Sequence, residues 1–225
     1  MIKTMFEQRS NTPPVVMNLL VANVVVFLAW QLIPEKMLSL PLYSIDLRYP
    51  EDTLFKWWQP LTYMFMHGGF SHLFFNMFSL WMFGRSLEWE MGAKRFLIYY
   101  SVCGIGAAII QLGIAQIDLA QTALFSSSWI HYMQTPTVGA SGAIFGLLLA
   151  FGMLHPNAII TMIFPPISMK AKWFIVIYGA LELFLGVSGR MDNVAHFAHL
   201  GGMFWGWLLL LWWHYRDRRR NTYYY

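Results

Sequence analysis

Ser141 stands in TVGASGAIFG, among glycines and alanines at the head of a strongly apolar run. Hydrocarbon offers a hydroxyl no hydrogen-bonding partner, so the protein must supply one. Two other stretches pose the same problem. HGGFSHLFFNMF carries His72 and Asn76, four residues apart and hence on one helix face, and DNVAHFAHLGG carries His196 and His199. A serine and an imidazole are the minimum for nucleophilic acyl transfer. The ring, which titrates near about 6.5 in solution, takes the hydroxyl proton and returns it to the leaving amine. The resulting oxyanion needs donors. The Ser141 N–H, at a helix N-terminus where amides are unpaired, is one candidate, and the Asn76 amide and His72 ring N–H are others.

The elements that must carry these residues are membrane helices. Of 225 residues, 12% are charged, 57% hydrophobic and 18% aromatic, and the mean hydropathy is +0.47, outside the make-up of a soluble domain. Apolar runs fall at about 15–33, 69–83, 96–117, 138–154, 173–187 and 194–213, which predicts six transmembrane helices. Some runs are shorter than the roughly 20 residues that cross a hydrocarbon core. The first is too long for a removable signal peptide and reads as a retained span. The single cysteine, Cys103, excludes an intrachain disulfide.

Lysines and arginines orient the bundle. With a cytoplasmic N-terminus, Lys3, Arg9, Arg85, Lys94, Arg95, Lys170, Lys172, Arg216, Arg218, Arg219 and Arg220 lie inside, against Lys36, Arg48, Lys56 and Arg190 outside. The basic tail is then a topological anchor near anionic lipid, not a nucleic-acid site. Spans two, four and six all run inward, and each polar cluster lies in the first turns of one of them, so the three share one depth near the outer face. Small-residue stripes give lateral closeness: Gly142, Gly146 and Ala150 on span four, and Ala195 or Ala198, Gly202 and Gly206 on span six. If the stripes pack together, Ser141 meets His199. The segment 34–68 is external, yet its FKWWQPLTYMFMH is too aromatic for a solvated loop and reads as interfacial. The stretch 118–137 reads as an outside connection.

These residues resemble the rhomboid intramembrane serine proteases. The resemblance runs from about Trp57 to Gly206 and rests jointly on HGGFSHLFFN, GASGAIFG and AHLGG. It implies a six-helix, all-α polytopic membrane fold with an interfacial loop between helices 1 and 2. It also implies a serine–histidine dyad without a third acid, Ser141 and His199, with Asn76 and His72 assisting the oxyanion. Substrates would be membrane-spanning helices of other proteins, cleaved near their outer end at small residues. Two positions depart from the family. Trp58-Gln59 stands where members often have tryptophan–arginine, and Phe145 stands where some have a tyrosine stacked on the histidine.

The expected layout is a cytoplasmic segment 1–14, a membrane domain 15–213 and a basic cytoplasmic tail 214–225, in a bacterial inner membrane. The expected partners are transmembrane substrates and the bilayer, with no nucleic acid, no cofactor and no metal; the motifs leave oligomeric state open. A metal or haem site from His72, His196 and His199 is disfavoured by the absence of H-E-x-x-H and of a nearby cysteine. A non-catalytic relative that binds membrane helices is the alternative, but such relatives usually lack the serine or histidine. His196 reads as supporting or structural, and His67, His131, His155 and His214 as structural or solvated. Glu182, unusual within span five, either faces the bundle or snorkels, and the sequence assigns it no role.

Overall fold

A computed structural model describes residues 11–33, 46–48, 52, 54–120, 124, 126, 136–162, 166–188 and 196–219. Their secondary structure is mostly helical, and each apolar run lies on a helix. Helix α1 spans Pro14–Leu32. Proline at its start sacrifices no hydrogen bond, since the first amides have no intrahelical acceptor. The next two, Val15 and Val16, donate to the two carboxylate oxygens of buried Glu88 at 2.9 and 2.7 Å, an anion at the positive end of the helix.

Between α1 and the next long helix, the described chain forms the short α2 (Gln59–Thr62) and a 3-10 turn, Tyr63–Phe65. Helix α3 (Phe70–Ser79) then runs through a π turn, Leu80–Gly84, into α4 (Arg85–Met91). The helical stretch thus outlasts the apolar run ending at Phe83. Gly92, at φ +81°, closes it with its N–H on the Glu88 carbonyl at 2.9 Å. This is a backbone conformation that suits glycine and lets α5 (Ala93–Ala120) start at once. At 1.5 Å per residue α5 is roughly 42 Å long, and it continues past Asp118, where the sequence predicts a loop. Most of 121–135 lies outside the described residues.

Helix α6 (Ser141–Leu154) follows, then a two-stranded antiparallel hairpin, β1 (Ile159–Thr161) and β2 (Ser168–Lys170), in register Ile159 with Lys170. Nothing in the alternation of this apolar stretch announces the hairpin. Helices α7 (Ala171–Ser188) and α8 (His196–Arg219) complete the described elements.

α5, α6 and α8 form the centre, where small residues permit close approach. A Cβ added at Gly202 would land on the Gly142 carbonyl, and one at Gly146 would meet Cys103 and, at 3.2 Å, the Gly202 carbonyl. Gly206 instead faces α5, where a Cβ would strike Tyr99 and Cys103. The two predicted stripes therefore meet through Gly142 and Gly202, while Gly206 packs on a third helix. Tyr99 adds a hydrogen bond to the Gly146 carbonyl at 2.9 Å. Ala195 lies outside the described residues.

α1 and α7 are peripheral. Val21, Val25, Leu28 and Leu32 on α1, and Trp173, Val176, Leu183, Phe184 and Val187 on α7, are exposed, the arrangement of lipid-facing helices. Among the described residues, three helical segments, Pro14–Leu32, Ala93–Ile117 and Ala171–Ser188, are long and apolar enough to cross a membrane.

Candidate active site

Ser141 opens α6, and the chain before it is tied down. Leu47 and Thr137 exchange backbone hydrogen bonds of 3.0 and 2.9 Å, and the Gly139 N–H donates to the Tyr63 carbonyl at 3.0 Å. Gly139 has φ +118°, and any Cβ there would press on the His72 ring, 2.7 Å from Nε2. Glycine is therefore required twice, for the backbone and for the space. The turn delivers Ser141 at the helix start, where the first amides are unpaired.

His199, in the first turn of α8, meets it: Nε2 lies 2.8 Å from Ser141 Oγ. The ring is held on a second side by Phe145, one turn below Ser141, stacked parallel at 4.2 Å between centroids and 6° between planes. Phe145 packs in turn on Tyr178 of α7 at 5.5 Å. The other ring nitrogen, Nδ1, lies 3.0 Å from Glu182 Oε2, and the same oxygen lies 2.7 Å from His196 Nδ1. Sequence reasoning noticed Glu182 but gave it no place. In the structure Ile175, Tyr178 and Glu182, at helical spacing, form the inward stripe of α7, which buries the acid.

Across from this group stands α3. His72 Nδ1 accepts the Gly68 N–H at 3.4 Å. With Nδ1 as acceptor, the ring proton resides on Nε2, the nitrogen that faces Gly139. Asn76 is buried and donates one amide hydrogen to the His72 carbonyl at 2.8 Å, which leaves its second hydrogen for another acceptor. His67, just before α3, is also buried and packs edge-on against His72 at 5.1 Å. Burial, and then the neighbouring His72 ring, bring its titration down to about 4.

Gln59, where tryptophan–arginine was the family expectation, is fully buried. It accepts the Arg48 N–H at 3.2 Å and donates to the Leu54 carbonyl at 2.9 Å. Arg48 meanwhile pairs with Asp46 and Asp52 at 2.9 Å each. A neutral amide thus fastens this segment, with the cation displaced to Arg48.

The histidines considered for a metal do not gather as a trio. His72 stands on α3, while His196 and His199 share Glu182, the three ligand atoms lying within 4.8 Å of one another. Their 2.7 and 3.0 Å separations from Glu182 are those of hydrogen bonds, and the carboxylate satisfies both Nδ1 atoms without an ion. His131 lies outside the described residues, and His155 pairs with Glu90 at 2.8 Å away from the site.

A family model described as the rhomboid domain matches residues 54–216. Among curated proteins, RHOMBOID-like protein 5 of Arabidopsis thaliana is 32% identical over 82% of this chain and 56% of its own length. Rhomboid protein 1, mitochondrial, of Saccharomyces cerevisiae is 32% identical over 85% of this chain and 52% of its own. A putative rhomboid protease of Bacillus subtilis is 30% identical over 81% of this chain and 83% of its own. The chain thus spans about half the length of the first two relatives and most of the third.

Proposed function

The chain belongs to the rhomboid family, and from that premise we propose that it is an intramembrane serine endopeptidase using Ser141 as nucleophile and His199 as base. The observation that carries this reading is the 2.8 Å approach of His199 Nε2 to Ser141 Oγ, at the adjoining ends of two helices in an integral membrane protein. In the proposed reaction Oγ attacks a scissile carbonyl while its proton passes to Nε2. The carbonyl electron pair moves onto oxygen, and collapse expels the amine, which takes the proton from Nε2. Water, giving its proton to Nε2, then hydrolyses the acyl-enzyme and returns Oγ–H. The oxyanion is assigned to the Ser141 N–H, the second hydrogen of the Asn76 amide and His72 Nε2–H.

The membrane placement belongs to the same proposal. All six apolar helical stretches cross, α2 and its flanking segment lie at the outer interface, and both 1–14 and 214–225 face the cytoplasm of a bacterial inner membrane, as the lysine and arginine distribution favours. At 14 residues, α6 is roughly 21 Å long, less than a ~30 Å hydrocarbon core. Ser141 therefore sits below the outer surface, at the depth of a substrate helix's outer end. Substrates are transmembrane segments of other proteins. A role in binding membrane helices without cleaving them would leave the serine–histidine contact and the donors opposite it unused.

The deciding experiment is labelling of the purified protein by a serine-reactive fluorophosphonate, run beside cleavage of a helical membrane substrate. Labelling and cleavage in the native chain, both lost in Ser141→Ala, are expected. Cleavage that persists in Ser141→Ala would sink the proposal.

A further inference from the structure

The family resemblance implies a serine–histidine pair with no acid behind it, yet a buried carboxylate stands on the far nitrogen of His199. We propose that Glu182 is a positioning residue for His199, completing a Ser141–His199–Glu182 relay of contacts in which His196 clamps the carboxylate. This inference rests on the protease reading above and adds a component to that site.

The geometry dictates the proton positions. An ionised carboxylate only accepts, so both rings that meet Glu182 Oε2 must donate through Nδ1–H, His196 at 2.7 Å and His199 at 3.0 Å. His199 Nε2 is then left with its lone pair, facing the Ser141 hydroxyl at 2.8 Å. That is the tautomer a general base needs, and Glu182 selects it. When Nε2 takes the serine proton, the ring becomes a cation with an anion 3.0 Å away in a site from which water is largely excluded, where such pairing is worth more than in bulk solvent.

His196 has a separate task. Glu182 is only 7% exposed, and a buried carboxylate needs more than one partner to stay ionised and oriented. His196, itself 5% exposed, provides the second N–H at a shorter distance than His199 does. It thus holds the oxygen in place from within the same helix turn. The other groups facing this cluster are Tyr178 on α7, close enough to Glu182 for their charges to interact, His72 on α3, similarly close to His199, and Ser141 and Phe145 on α6. Phe145 fixes the ring plane, and Glu182 fixes which nitrogen points at serine.

The test compares Glu182→Gln, Glu182→Asp and the native protein for cleavage of a helical membrane substrate across pH. Glu182→Gln should lower kcat by on the order of 100- to 10,000-fold with little change in KM, as loss of the acid does in other triads. Without the carboxylate the imidazolium is harder to form, so the acidic limb of the kcat profile should move to lower pH by roughly 1 to 2 units. Glu182→Asp should recover part of kcat and return the limb toward its native position. A native kcat and an unmoved limb in folded Glu182→Gln would overturn the inference and reduce Glu182 to a tie between α7 and α8. So would a purified chain carrying one metal ion whose content falls with Glu182→Gln, because the three ligands would then serve that ion. Should Glu182→Gln not fold, nitrogen NMR of histidine in the native protein decides: His199 protonated on Nδ1 is expected, and protonation on Nε2 overturns it. Fluorophosphonate labelling of the native chain runs alongside. Failure there removes the protease reading itself, whereas labelling with an unaffected Glu182→Gln removes only this inference.

Discussion

On one side of Ser141, α6 and α8 touch backbone to backbone at Gly142 and Gly202, and the polar atoms there bond from helix to helix. On the other side, α3 keeps its polar bonds local: Asn76 donates to the His72 carbonyl, and His72 accepts from Gly68. Its Phe70, Phe74 and Phe75 are exposed. The proposed nucleophile and base are thus held by contacts that cannot loosen without separating two helices. The proposed side-chain donors to the oxyanion, Asn76 and His72, sit on an element whose polar bonds are its own. In the proposed protease, chemistry would be assigned to the rigid wall and substrate admission to the other.

The largest test of that division strikes the rigid wall's reactive pair. Ser141→Ala and His199→Ala should each reduce cleavage by at least about 10,000-fold, and the double variant should be no worse than either, because the two act as a unit. Additive losses would separate them. On the α3 wall, Asn76→Ala should cost about 100- to 1,000-fold in kcat with KM nearly unchanged, the loss of one oxyanion donor; an undiminished rate would make Asn76 a packing residue and leave the donors to Ser141 and His72.

Gly202→Val probes the seam itself. The branched side chain collides with the Gly142 carbonyl, which is backbone and cannot rotate away, so overpacking of about 1 to 3 kcal/mol is expected. Moving the base by about 1 Å costs on the order of 100-fold in rate. The variant should reach the membrane in normal amount, melt earlier and cleave poorly. Normal cleavage would show that the seam does not set the distance from His199 to Ser141.

The smallest effect concerns acid. His67, whose folded form titrates near about 4 against an ordinary 6.5, refuses a proton that the unfolded chain accepts. Its contribution is complete above about pH 6.5 and is lost progressively as pH falls toward 4. The native protein in detergent should lose a few degrees of Tm between pH 7 and 4.5, and His67→Phe should lose less over the same interval. An equal pH dependence in both would place the acid sensitivity elsewhere.

The candidates Ser141, His72, Asn76 and His199 stood out in the sequence because each is polar in an apolar stretch, where its presence demands a reason. The contact between Gly142 and Gly202 was legible for the converse reason, that a missing side chain in a membrane helix means something lies close. The position of Glu182 was not. α7 is apolar on most of its circumference, so the sequence gives little indication of which way the acid points, and only the packing of α7 on α8 decides it. Gly206 was misassigned because spacing reveals that a face is small but not which neighbour it meets. The paired strands Ile159–Thr161 and Ser168–Lys170 hid in an apolar stretch without alternation, and the continuation of α3 into α4 was masked by a switch from apolar to charged residues.

The π turn at Leu80–Gly84 has a consequence for how this gene can vary. A π turn holds one residue more than the α-helix it interrupts, so every residue beyond it stands one position, about 100° around the axis, behind its place in an uninterrupted helix. Glu88 reaches the Val15 and Val16 amides in that set-back phase. Deleting a single codon within 80–84 removes the residue that the π turn absorbs, so the helix relaxes to plain α geometry with Asn76 and Glu88 in the same phase relation, whereas inserting one there swings Glu88 about 100° away from the Val15 and Val16 amides. Length in this short stretch is therefore free in one direction only: a one-residue deletion should be tolerated where a one-residue insertion is not.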